Sequence, residues 1–268
     1  MLELHDVTAG FGALTVLHGI TFSVQPGEIA GIFGLNGAGK SVTMKTIGGM
    51  VTARSGTILL NGQDVTSLSA EKRVRLGMGH VPQGRQVFPG LTVEENLRLG
   101  AYTLRRRDKS RYRGALDGVF DRFPVLRDRR DQLAGTMSGG QQASLSVARA
   151  LINEPSLVLV DEPSAGLSPS MQLELAEVLA TVRDTGVTMV LVEQNIAFGL
   201  SLVDTANLLQ TGTVVHSGPV ADLDNDTLAT HLGIGRVLAG ATGKALASRQ
   251  SARQPASKKG SPRARRTA

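Results

Sequence analysis

The sequence predicts an α/β domain built on a mainly parallel sheet. Three observations lead there. Ile29–Phe33, Leu157–Val160 and Met189–Val192 are apolar runs of strand length, near-continuous rather than alternating, as in strands covered on both faces. Stretches with helix-start signals lie between them. A glycine-rich turn, Gly34 to Ser41, joins the first run to a helix.

Taken in chain order, Leu2–Val7 and Val16–Val24 predict short antiparallel strands with a turn around Gly10 and Gly12, an N-terminal β subdomain. Residues 41–50 predict a helix after the glycine turn. A second helix, 93–103, starts after Thr92 with Glu95 three residues on, a capping box. Ser138 and Gln141 repeat that device at the head of a helix over 139–152. Ser168 as N-cap and Pro169 at the first helical position open a helix over 169–184, which Gly186 closes.

Composition bounds the function. The apolar fraction of 41% suffices for a sizeable core, and the absence of cysteine excludes disulfides and thiolate metal sites. The start of the chain lacks a basic region followed by an apolar run, so no signal peptide is expected. No run approaches about 18 apolar residues, so no membrane-spanning helix is expected. The net charge of +6 is uneven: nine of the 29 Lys/Arg and none of the 23 Asp/Glu fall in residues 236–268, leaving 20 Lys/Arg against 23 Asp/Glu in residues 1–235. The body is therefore mildly acidic and gives no reason to expect nucleic acid. Residues 236–268 combine Ala, Ser, Gly, Pro and basic residues without aromatics, a composition that predicts disorder.

Gly34-Leu35-Asn36-Gly37-Ala38-Gly39-Lys40-Ser41 fits the phosphate-loop pattern G-x-x-x-x-G-K-[ST] in its required context, after a strand and before a helix. Its glycines let backbone N–H groups close on phosphate oxygens, Lys40 brings a charge to the β- and γ-phosphates, and Ser41 can ligate Mg²⁺. Four fixed positions predict roughly 0.01 chance matches in a chain of this length. The strand Leu157–Val160 ends in Asp161 and Glu162. Such a pair is common on surfaces, but beside a phosphate loop Asp161 is the expected Mg²⁺ partner and Glu162 the group that orients and polarises the attacking water.

Ser138-Gly139-Gly140-Gln141, preceded by Met137, resembles the L-S-G-G-Q signature of the ATP-binding-cassette (ABC) ATPases. The resemblance spans about residues 1–235, with the landmarks in order. It implies a P-loop cassette with an inserted helical subdomain at about 84–152, facing a membrane partner. It also implies ATP contacts from Phe11, Gly34, Leu35, Asn36, Gly37, Ala38, Gly39, Lys40, Ser41 and Val42, with Phe11 stacked on adenine rather than serving as a core residue. Gln83, in Val81-Pro82-Gln83-Gly84-Arg85, matches the glutamine loop that senses Mg²⁺, water and the transporter; Mg²⁺ would be held by Ser41, Gln83 and Asp161. Ser164-Ala165-Gly166-Leu167-Ser168 matches the loop that crosses the dimer.

Where the family commonly has a histidine against the γ-phosphate, this chain has Gln194; its histidines are His5, His18, His80, His216 and His231. An amide donates a hydrogen bond but carries no positive charge, so among the catalytic residues Glu162, Gln83 and Gln194 the contribution of Gln194 is expected to fall well below that of Glu162. Val-Glu-Gln-Asn, Thr-Met-Ser-Gly-Gly and Thr92-Val93-Glu94-Glu95-Asn96-Leu97 are similar to the branched-chain amino-acid importer ATPases, and Val-Pro-Gln-Gly-Arg also to the urea importers. The resemblance implies a head-to-tail dimer in which Ser138–Gln141 grips ATP held by a second, similar but distinct chain or a second copy. It further implies permease subunits, an external binding protein acting through them, and a place on the cytoplasmic face of the plasma membrane. The rivals are a soluble ABC ATPase acting on nucleic acid or ribosomes, which typically carries a coiled-coil insert or two fused cassettes, a non-hydrolysing regulatory subunit, and a simple nucleotide kinase, which leaves Ser138–Gln141 unexplained.

Overall fold

The computed structural model describes residues 1–84 and 86–232, without the side chains of residues 105–107. The segment 236–268 and Arg85 lie outside the described residues. In chain order the elements are β1 (Leu2–Phe11), β2 (Leu14–Val24), β3 (Ile29–Phe33), α1 (Lys40–Ile47), β4 (Ala53–Leu60), β5 (Gln63–Asp64), α2 (Ala70–Arg75) and β6 (Met78–Val81). A run of helices follows: α3 (Val93–Gly100), α4 (Tyr102–Arg107), α5 (Lys109–Arg122), α6 (Pro124–Asp128) and α7 (Gly139–Leu151). The chain continues with β7 (Leu157–Asp161), α8 (Pro169–Arg183), β8 (Thr188–Val192), α9 (Ile196–Leu202), β9 (Thr205–Gln210), β10 (Thr213–Pro219) and α10 (Asn225–Leu232).

The strands form two sheets. One is antiparallel, in the order β2-β1-β4-β5; the other runs β10-β9-β3-β8-β7-β6. In the larger sheet every pairing among β9, β3, β8, β7 and β6 is parallel, and only the edge pair β9/β10 is antiparallel. β3, β7 and β8 are buried at every position. Their side chains alternate between two cores. Ala30, Ile32, Leu157, Leu159, Val190 and Val192 pack with α1 and the antiparallel sheet. Ile29, Phe33, Val158, Val160, Met189 and Leu191 pack with the helices on the other face. Apolar cover on both sides is why these strands read as continuous hydrophobic runs.

Several expected boundaries shift. β1 runs through Phe11 rather than ending at Val7, because bulged pairing with β2 carries it on to the pair Phe11–Leu14. α1 ends at Ile47 rather than residue 50, since Gly48 caps it and Gly49, at φ 75°, turns the chain away. The helix expected over 93–103 breaks at Ala101. There the Asn153 amide donates to the Gly100 carbonyl at 2.5 Å and draws the chain against the loop that follows α7. Both expected capping boxes are formed, at Thr92/Glu95 and Ser138/Gln141.

Candidate nucleotide site

In a parallel sheet all carboxyl ends lie along one edge, where α/β folds bind their ligands. The loops leaving β3, β6, β7 and β8 along this edge carry, respectively, Gly34–Ser41, Gln83, Asp161–Glu162 and Glu193–Gln194. The sheet order brings together segments that are far apart in sequence.

The loop after β3 is braced from outside. The Gly212 N–H donates to the Ala38 carbonyl at 2.9 Å, and the Gly212 carbonyl accepts from His18 N–H at 2.8 Å, so the β9–β10 turn ties the loop to β2. Gly39, the residue before α1, sits at φ 106°, a conformation closed to residues with a Cβ. Leu35, Asn36 and Gly37 are exposed at the tip, Ala38, Gly39 and Lys40 are buried, Ser41 is exposed and Val42 half-buried. The Lys40 ammonium donates to the carbonyls of Gly34 at 2.8 Å and Leu35 at 3.2 Å. Burial lowers its pKa, while the carboxylates of Glu162 and Asp161 pull it back up.

Asp161 ends β7 and is buried. Burial raises its pKa, as does neighbouring Glu162, whereas Lys45 and Lys40 oppose the rise. Its Oδ1 is buried without a hydrogen-bond partner, the state expected of an oxygen reserved for a cation. The Asp161 carboxylate, the Ser41 hydroxyl and the Gln83 amide carbonyl each offer an oxygen, the donor chemistry that suits Mg²⁺. Glu162 follows at φ 42°, a left-handed conformation unusual for a residue with a side chain. Its N–H donates to the Val192 carbonyl at 2.9 Å, and its Oε2 accepts from Gln83 Nε2 at 2.6 Å. Gln83 is exposed; it and Glu162 are brought into contact across 79 positions of sequence. Gln194 is exposed at the start of the loop after β8.

Phe11 is half exposed at the end of β1 rather than packed in the core. Arg54 of β4 fixes the turn beyond it, donating to the carbonyls of Gly12 at 2.8 Å and Leu14 at 3.0 Å and to the Thr15 hydroxyl at 2.7 Å. Ser138, exposed at the head of α7, accepts from Gln141 N–H at 3.2 Å, and the Gln141 side chain accepts from Ser138 N–H at 3.1 Å. Gly139 is half-buried, and Gly140 packs beneath Glu174 of α8. Met137 is buried in the helical core, so an apolar side chain is what its position requires.

Two residues escape a reading from sequence. Arg54 gives no local signal. Glu193 does: like Asp161 it is a carboxylate closing an apolar strand, and its burial is noted only once the fold is seen.

Fold and edge together define a nucleotide-hydrolysing P-loop domain. The family model for ABC transporters matches residues 17–165. The high-affinity branched-chain amino acid transport ATP-binding protein BraG of Pseudomonas aeruginosa is 41% identical over 226 residues, 84% of this chain and 96% of that protein. The probable branched-chain amino acid transport ATP-binding protein LivF of Archaeoglobus fulgidus is 38% identical over 224 residues, 83% of this chain and 94% of that protein. Among solved structures, an ATP-binding subunit of an ABC transporter superposes with a TM-score of 0.70 at 27% identity, over 92% of this chain and 98% of that one. A nucleotide-free ATP-binding cassette from an ABC transporter shares the fold with a TM-score of 0.75 at 23% identity, over 89% of this chain and 97% of that one. This chain belongs to the ABC transporter family and is an ATP-binding, ATP-hydrolysing component of it. No helix among the described residues is long and apolar enough to cross a membrane.

Proposed function

We propose that the chain energises an importer of branched-chain amino acids from the cytoplasmic face of the plasma membrane, paired with a second, similar ATPase chain and docked on permease subunits fed by an external binding protein. The observation that carries the substrate class is the match, over nearly their whole lengths, to two relatives named for that transport.

In this proposal Phe11 stacks on adenine, and Gly34–Val42 hold the phosphates. On arrival of a triphosphate, Lys40 exchanges its bonds to the loop carbonyls for the β- and γ-phosphates. Ser41, Asp161 and Gln83 would hold Mg²⁺, which would supply charge neutralisation on the phosphates. Glu162 orients and polarises the attacking water, and the Gln83 amide bonded to it reports the permease's state to that carboxylate. Gln194 donates one neutral hydrogen bond toward the γ-phosphate. Ser138, Gly139, Gly140 and Gln141 present a helix N-terminus to nucleotide held by the partner.

The experiment is affinity purification of the tagged chain from membranes, followed by uptake in vesicles of the co-purified complex. ATP-driven accumulation of labelled leucine or isoleucine, lost in Lys40→Ala, supports the proposal. ATP-driven accumulation of urea instead, or co-purification with ribosomes and no permease, overturns it.

A further inference from the structure

Glu193 is a deeply buried carboxylate beside the nucleotide site. It is 1% exposed, one residue beyond the end of β8. One carboxylate oxygen accepts from the Ser164 N–H at 2.9 Å. The other accepts from the Ser164 hydroxyl at 2.8 Å and from the Asn195 N–H at 3.4 Å. Gly199 of α9 packs closely against both the Phe33 ring and Glu193; a Cβ there would lie 3.1 Å from that of Glu193. Burial raises the Glu193 pKa, against the pull of these hydrogen bonds. A carboxylate kept in so dry a place at that cost holds something.

What it holds is the pair of loops beside the hydrolytic residues. Ser164 lies two residues after Glu162, and Glu193 immediately precedes Gln194. At the backbone the same loops are joined by Glu162 N–H to the Val192 carbonyl. Glu162 itself is in the left-handed region, a conformation that persists only where its surroundings over-determine it. The Val192 carbonyl fixes its N-terminal side and the Glu193–Ser164 bonds fix the chain just beyond it.

We propose that Glu193 is a positioning residue for hydrolysis: its buried carboxylate fastens the loop after β7 to the loop after β8 and so sets Glu162 and Gln194 in mutual register. This rests on Glu162 being the water-orienting group. The substrate remains MgATP, and no proton is exchanged with Glu193.

The test measures kcat, KM for ATP and ATP binding for E193Q, E193A, S164A, E193Q/S164A and E162Q in the complete transporter complex, with the partner ATPase's own site disabled. Positioning predicts that E193A loses about ten- to a hundredfold in kcat, with KM and ATP binding within about twofold, because a small misplacement of a reacting group costs that much rate. E193Q and S164A lose less, and E193Q/S164A loses no more than the worse single variant, since both remove one link. If E193A fails to assemble, E193Q and S164A carry the same comparison. Raised KM with unchanged kcat, or strictly multiplicative losses in the double variant, overturns the proposal. So does wild-type kcat for E193Q and S164A beside an inactive E162Q. An active E162Q overturns the assignment of Glu162 along with it, which separates failure of the site from failure of the latch.

Discussion

At the scale of single residues, two side chains compete for the hydrolytic role and differ in charge. Glu162 offers a carboxylate, held by Gln83 at 2.6 Å and placed on a strained backbone. Gln194 offers a neutral amide from an exposed loop. Glu162→Gln keeps shape and removes the polarising charge, so hydrolysis should fall at least about a hundredfold while ATP still binds. Gln194→Ala removes one hydrogen bond, about 0.5–1.5 kcal/mol, or roughly tenfold in rate at most. Single-turnover ATPase measurements on both variants decide the ranking; equal losses would make Gln194 a principal catalytic group and overturn it. Glu193 gives a pH-dependent prediction. Its folded pKa is raised above the ordinary 4.5 by burial. Between 4.5 and that raised value the folded chain keeps a proton that the unfolded chain has released, so this group's contribution to stability is greatest below 4.5 and is lost as pH rises. The charged groups of the neighbouring catalytic edge, Asp161 and Glu162, are present in both proteins and cancel in the comparison. Glu193→Gln carries no such proton. Its melting temperature relative to wild type should therefore improve as pH rises from 4.5, by about 2–4 °C for each kcal/mol recovered. A pH-independent gap would mean that the hydrogen bonds outweigh burial.

At the scale of elements, α1 depends on a distant cation. Arg73 of α2, 1% exposed, donates to the carbonyls of Thr46 and Ile47 in the last turn of α1 and to those of Thr66 and Leu68. It thus closes the far end of the helix whose near end carries Lys40, and its positive charge suits a helix C-terminus. Arg73→Met would strand buried acceptors and should cost at least about 3 kcal/mol in urea unfolding. Ser138→Ala removes only an exposed cap, about 0.5–2 kcal/mol. The phosphate loop, the acidic pair and both capping boxes were legible because each is a contiguous signal at fixed spacing. Ile29–Phe33 was legible to the residue because both faces are buried. β4, with Gly56 and two polar residues in its first half, and β10, half-exposed or exposed throughout, show no such run and so carry no strand signal in sequence. Arg54 and Arg73 were invisible for another reason: an isolated arginine acquires a function only when folding sets carbonyls around it. Gln83 stood out through resemblance alone, since its contact with Glu162 spans 79 positions.

At the scale of the whole molecule, the charge is divided: residues 236–268 hold nine Lys/Arg and no Asp/Glu. If that segment meets an anionic bilayer, each basic residue adds about 1 kcal/mol, screened by salt. Truncation after Gly235 should weaken sedimentation with anionic liposomes at low salt and leave ATP binding intact; equal sedimentation would leave the segment no role there. α1, which begins with Lys40, packs against β1, β2, β7 and β8, whereas α7, headed by Ser138, packs against α3, α6, α8 and β6. The two helices thus pack mainly on different layers of the chain. Each presents exposed residues at its head, Ser41 and Ser138. The family resemblance implies that both grip one triphosphate only across a head-to-tail pair, each chain supplying two half-sites. MgATP should then bind to dilute protein at its phosphate loop with little turnover. The rate per molecule should rise with protein concentration, and rise further on addition of the partner ATPase, until the dimer is saturated. Stopped-flow binding of a fluorescent ATP analogue together with steady-state phosphate release across a hundredfold range of protein concentration reads both quantities. Rapid turnover in a strictly monomeric preparation, constant per molecule over that range, would show that one chain completes the site by itself and would sink the head-to-tail arrangement.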